Sequence, residues 1–169
     1  PALLINEVMS DNVSAFGDQA GQFWDWIEIY NPNDEAVNLD QYALTDDEAD
    51  LTKWRFPALF LQPHAHLLVY ASDLNRTNAA QALHTNFKLK ASGETLILSD
   101  ARLRPLDRFQ IPTLAPDQSV GRLPDGGTEL YFYAKTNITP GNENLVIAGG
   151  PVLLPPSFTP DGGFFSGAV

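Results

Sequence analysis

The chain has no cysteine among its 169 residues. Disulfides, thiolate nucleophiles and every cysteine-based zinc site are excluded. No apolar run approaches the ~20 residues that a membrane-spanning helix needs, so insertion into a bilayer is not expected. No stretch sustains a helical hydrophobic period. Positive charge is scarce: 10 Lys and Arg stand against 21 Asp and Glu, for a net charge of −11. Such a surface repels phosphates and no basic cluster offsets it, so nucleic acid is not an expected partner. A divalent cation or a basic protein would be attracted instead. With three scattered histidines and no Gly-x-Ser-x-Gly elbow, a hydrolase triad built on His84 has no support, and no catalytic residue is assigned.

Hydrophobic residues make up 44% of the chain, enough for a packed core. The 13 prolines and 12 glycines are spread along it, the pattern of many short strands joined by turns. Trp26-Ile27-Glu28-Ile29-Tyr30 is dense in β-forming residues. Asn31-Pro32 stops it, because proline lacks an N–H and restricts the residue before it. Further strands are expected over 3–9, 42–45, 51–56, 66–70, 83–89, 94–99, 106–111, 119–123 and 130–133. A polar loop runs over 10–22, and 73–81 forms a short helix or an irregular connection. In 51–56, Trp54 and Phe56 point to a core while Lys53 and Arg55 face outward. Around ten short strands with regular turn signals give an all-β fold, an antiparallel sandwich or barrel.

Several blocks together resemble the lamin tail domain family. Ile5-Asn6-Glu7-Val8-Met9 is similar to its first strand, and Asp25-Trp26-Ile27-Glu28-Ile29-Tyr30-Asn31-Pro32 to its most recognisable block. Lys53-Trp54-Arg55-Phe56-Pro57, Leu83-His84-Thr85-Asn86-Phe87-Lys88-Leu89, Gly93-Glu94-Thr95-Leu96-Ile97-Leu98 and Ser119-Val120-Gly121-Arg122 resemble later blocks in order. Thr139-Pro140-Gly141-Asn142-Glu143-Asn144 resembles the C-terminal closure, so the resemblance spans about 3–144. Pro63-His64-Ala65 departs from the Pro-Gly common at that turn in bacterial members. The resemblance implies an immunoglobulin-like antiparallel β-sandwich without catalysis. In nuclear lamins the family serves as an interaction module, and in bacteria as an accessory module of exported proteins.

Two places invite a ligand. The acidic turn of Asp46, Asp47, Glu48 and Asp50, with Asp40 before it, offers several carboxylates to calcium, which takes roughly six to eight oxygens. Its spacing is not that of an EF-hand, and a solvated turn is the simpler reading. Calcium is the one cofactor the chain invites; otherwise none is expected. Trp24 precedes the second strand beside the long loop and is the tryptophan best placed to stack on a sugar, whereas Trp26 and Trp54 belong to alternating strands and are expected in the core. His64 and His66 have the spacing of strand neighbours on one face, but His64 falls in the Pro63 turn, so a zinc site is not expected. Glu7 and Glu28 alternate with apolar residues and are expected to face outward or to be hydrogen-bonded.

The expected organisation is one sandwich over 1–146, with 147–169 a linker and the start of a further β domain. The expected function is that of a non-catalytic interaction or architectural module in an exported multidomain bacterial protein, acting outside the cell or at its surface. Its partner would be a protein or cell-surface component. The alternative is a carbohydrate-binding module, calcium-assisted, holding a glycan on the Trp24 loop. Pro1-Ala2-Leu3-Leu4-Ile5 is not a signal peptide, so an export signal is expected to lie outside this sequence.

Overall fold

The computed structural model describes residues 2–146 together with the backbone of Val152–Leu153. The strands are β1 (Leu4–Met9), β2 (Trp26–Tyr30), β3 (Val37–Asn38), β4 (Tyr42–Thr45), β5 (Trp54–Arg55), β6 (Phe60–Leu61) and β7 (His66–Tyr70). They continue with β8 (Leu83–His84), β9 (Glu94–Asp100), β10 (Pro105–Ile111), β11 (Ser119–Arg122), β12 (Leu130–Tyr133) and β13 (Val152–Leu153). A 3₁₀ turn at Leu39–Gln41 joins β3 to β4 and is capped by Asn38, whose side chain accepts from the Asp40 N–H. A seven-stranded sheet, ordered β13-β12-β11-β1-β2-β7-β8, faces a four-stranded sheet ordered β10-β9-β4-β5, and β3 pairs with β6 separately.

Strand alternation builds the core. Ile5, Val8, Ile27, Ile29, Val69 and Val120 from the large sheet meet Leu44, Trp54, Leu96, Leu98, Phe109 and Ile111 from the small one in a single buried cluster. Trp54 and Phe56 point inward and Arg55 outward, as the 51–56 pattern predicts, although only Trp54–Arg55 pairs as a strand. One seam between the sheets is an ion pair. Arg122 Nη2 reaches both oxygens of Asp107 at 3.0 and 3.2 Å, its Nε donates to the Ile5 carbonyl at 2.8 Å, and the Ile5 N–H donates to Asp107 at 2.8 Å.

The structure corrects the expected 83–89 strand and decides two alternatives that the sequence left open. The 83–89 strand is only two residues long, and β8 runs parallel to β7, the one parallel pair among the described strands. Its edge is covered by Arg76, which exchanges backbone hydrogen bonds with His84, so 73–81 is an irregular connection and not a helix. Glu7 and Glu28 do not face solvent: they are hydrogen-bonded and fully buried on the far side of the large sheet. That face is roofed by the loop between β1 and β2, where Ala15, Phe16 and Trp24 pack on Met9, Trp26 and Tyr70, and by Ile138 from the segment after β12. The proposed second β domain over 147–169 lies outside the described residues, except that β13 pairs with β12 through Tyr131↔Leu153 and Phe132↔Val152.

Candidate functional site

The roofing loop between β1 and β2 is fixed by side chains that replace regular backbone pairing. Asn12 Nδ2 donates to the carbonyls of Phe16 and Trp24 at 2.8 and 2.7 Å, and its Oδ1 accepts from the N–H groups of Ala15 and Phe16. Asp117 accepts from Val13 N, Ser14 N and Ser14 Oγ, and pairs with Lys135 at 3.0 Å. Desolvation opposes ionisation of Asp117, but the Ser14, Lys135 and Val13 donors outweigh it and hold the carboxyl well below the usual range.

At the tip of this loop Asp18 accepts from Gln22 N, Trp24 Nε1 and Ala20 N, and these donors depress its pKa, the Gln22 N–H most. Trp24 is therefore half-buried rather than an open platform. Its N–H is held by Asp18 at 2.9 Å, and its ring meets His84 edge-on at 6.1 Å between centroids. The exposed aromatic of the loop is Phe23, at 46% exposure, which the pattern of the sequence did not mark.

Beside Trp24 opens a cleft of about 550 Å³ between the 18–20 tip and the 76–84 connection. Asp18, Tyr70, Arg76 and His84 contribute its polar and aromatic groups. Ser72 Oγ accepts from Leu74 N and is hydrogen-bonded to His84 Nδ1, 2.8 Å away. Burial first, and Arg76 second, push the His84 imidazole down toward neutrality. Ser72 is only 3% exposed, which makes it an anchor for the ring. Asp18, Tyr70 and Arg76 were missed from sequence because they come from three separate segments.

The acidic turn is occupied with its own geometry. Asp46 pairs with Lys53 at 2.7 Å, and Glu48 pairs with Arg108. Asp47 Oδ1 accepts from Ala49 N, and Asp50 Oδ1 from Thr52 N and Oγ1. Among the described residues, no three His, Asp or Glu side chains converge as a metal-binding group. His64 has φ 54° in the Pro63 turn and bonds Asp34 at 2.9 Å. His66 bonds Asp125 at 2.8 Å and stacks on Tyr30, whose hydroxyl lies 3.4 Å from His64 Nδ1, so the two histidines share Tyr30 but pair with different carboxylates.

Behind His66 lies a buried polar network. Glu7 and Glu28 are direct cross-strand neighbours, and a bulge at Asn6 frees that side chain to donate to both Glu28 (3.0 Å) and Asp125 (2.9 Å). Glu7 accepts from Ser119 Oγ and Thr139 Oγ1, and Glu28 from the Gly141 N–H at 2.6 Å. Burial raises Glu7 to about 7 and Glu28 to about 8, against these donors. Burial lowers the basicity of His66, but Asp125 and Glu28 more than compensate and raise it. The same hydrogen bonds lower Asp125 against its own desolvation.

The family model of the lamin tail domain matches residues 1–113, two thirds of the chain. The chain belongs to the lamin tail domain family. No curated protein and no solved structure gives a match. The family is a non-catalytic, immunoglobulin-like one, in keeping with the sandwich described above. In this lamin tail domain the match stops short of physical completion, since β11 lies between β1 and β12 and the Thr139–Asn144 closure caps the glutamate pair. Gly121 makes that closure fit: a Cβ there would sit 2.7 Å from Asn144 Nδ2 and 2.9 Å from Glu7 Cγ. Gly121→Ala is expected to lower stability by about 1–3 kcal/mol through overpacking, read as a drop in urea midpoint.

Proposed function

We propose that this lamin tail domain is a non-catalytic interaction module of an exported, multidomain bacterial protein, and that it holds a protein partner at the cell surface through its loop end. The observation that carries the reading is the cleft between the 18–20 tip and the 76–84 connection. Its walls are preorganised by Asn12, Asp18 and Ser72, so little conformational entropy is lost when a partner docks. Arg76 gives the cleft a cation on a chain of net charge −11, and Phe23 and Leu74 on the flanking loops are exposed apolar groups of the kind that anchor protein contacts.

The test is binding of the labelled chain to intact cells of the source organism, before and after surface proteolysis, beside a glycan array. Saturable binding is expected, lost on proteolysis and weakened at least about tenfold by Arg76→Glu with an unchanged melting temperature. Binding that survives proteolysis and Arg76→Glu, or no binding, contradicts the proposal. An array signal that disappears in Trp24→Ala would assign the loop end to a glycan instead.

A further inference from the structure

β5 is the outer strand of the four-stranded sheet and borders a groove of about 480 Å³, whose far side is formed by Asn75, Thr77 and Asn86. The pairing of β5 with β4 determines which backbone groups face this groove. Phe56 N–H donates to the Tyr42 carbonyl at 3.2 Å, flanking the Ala43↔Arg55 pair. Such a bond marks Ala43↔Arg55 as a non-hydrogen-bonded pair, so the N–H and C=O of Arg55 point away from β4. The neighbouring outward groups are already satisfied or missing. Lys53 C=O accepts from Asn86 Nδ2 at 2.7 Å, Lys53 N–H donates to Asp50, and Pro57 has no N–H. Within β5 one donor and one acceptor thus remain on the edge, both on Arg55. By contrast, the edge of β8 is closed by Arg76.

The groove is also electrostatically distinct. Lys53 is neutralised by Asp46, but the exposed Arg55 has no ion-pair partner among the described residues. Two further polar atoms of groove-lining side chains, Trp54 Nε1 and Asn86 Oδ1, are buried without hydrogen-bond partners. We propose that this groove docks an extended, carboxylate-rich peptide segment of a partner protein, which adds to Arg55 as a further β-strand. The peptide backbone would exchange an N–H···O=C pair with Arg55, and an acidic side chain would take the guanidinium. Shortness, a proline and cationic side chains are the devices that guard sheet edges against indiscriminate pairing. Here they leave a one-residue register and reject basic strands, so the guard also defines what is admitted. This docking surface is separate from the loop-end cleft and shares none of its lining residues.

The experiment is NMR titration of the full chain with a library of ten-residue peptides alternating Glu or Asp with Val, Ile or Thr, and a matching Lys library. Acidic members are expected to shift the Arg55 amide and the Trp54 indole N–H, with Lys peptides silent. Arg55→Glu should weaken binding at least about tenfold, and N-methylation of the central peptide residue should do the same. Arg76→Glu should leave this binding intact, which separates it from the loop-end cleft. The proposal is overturned if no acidic member shifts the Arg55 amide, or if binding persists in Arg55→Glu or with the N-methylated peptide.

Discussion

A chain ended after Thr113, where the family match stops, is expected to lose cooperative folding altogether. Three consequences of the cut act together. β11 is removed, so β1, now central, becomes an unpaired edge on a sheet whose both faces are covered. Asp107 keeps the Ile5 N–H but loses Arg122, and breaking a buried ion pair by deleting one partner costs about 3–5 kcal/mol. Glu7 and Glu28 lose the Ser119, Thr139 and Gly141 donors, each buried group left without its hydrogen bond costing about 1–3 kcal/mol. The sum matches or exceeds the roughly 5–15 kcal/mol that holds a domain together. A chain ending at residue 146 keeps all three features and is expected to melt cooperatively. Near-UV circular dichroism and urea titration of the two truncations check this. A sharp, native-like transition in the shorter chain would show that β11 and the closure are accessory.

What could be read from the residues, and what could not, divides along the two faces of the large sheet. The β-forming run Trp26-Ile27-Glu28-Ile29-Tyr30 marked the strand from sequence and Asn31-Pro32 marked its end, but Trp26, expected in the core, packs on the face opposite Ile27 and Ile29. Asn31 does more than stop the strand, since its Nδ2 donates to the carbonyls of Glu35, Leu61 and Gln62 and ties the following turn to β6. The opposite face was illegible. Alternation marks Glu7 and Glu28 as facing away from the main core, and only the aperiodic cover over them decides that away is not outside. Loops held by Asn12 and Asp117 have no hydrophobic period to betray them. The same blindness affects Trp24, whose burial depends on Asp18 and on His84, sixty residues away in sequence. Residues 83–89 read as one strand because Leu83, Phe87 and Leu89 are apolar, yet Phe87 and Leu89 are buried as a coil segment after the strand has ended.

Stability is expected to be greater at mildly acidic than at mildly alkaline pH, with a decline from about pH 4.5 to about 8 that belongs to the glutamate pair. Desolvation raises Glu7 to about 7 and Glu28 to about 8, above the ordinary glutamate value of 4.5 that an unfolded chain approaches. Between those limits the folded state holds more protons than the unfolded one, so unfolding releases them and stability falls as pH rises. The contribution is complete below about 4.5 and is lost through the folded values, at roughly 1.4 kcal/mol per pKa unit. His66, raised by Asp125 and Glu28 against its burial, acts in the same direction. Asp125, Asp117 and the depressed His84 act oppositely, their stabilisation being lost as pH falls through their folded values, and they set the acid limb. Glu7 faces Ser119, Thr139 and the Asp125 charge, while Glu28 faces Asn6, Gly141, Glu7 and His66, so among the described residues no cation other than His66 is placed to favour ionisation of either carboxyl. Glu28→Gln is therefore expected to flatten the alkaline decline. At pH 5.5 it should be less stable by about 1 kcal/mol, because one of two donors, Asn6 Nδ2 or the Gly141 N–H, now meets an amide NH₂. At pH 8.5 it should equal or exceed the parent. Melting curves of both proteins across this range decide the matter: profiles that run parallel, without converging or crossing, would mean that the pair carries no shared proton and that the closure over it is indifferent to charge.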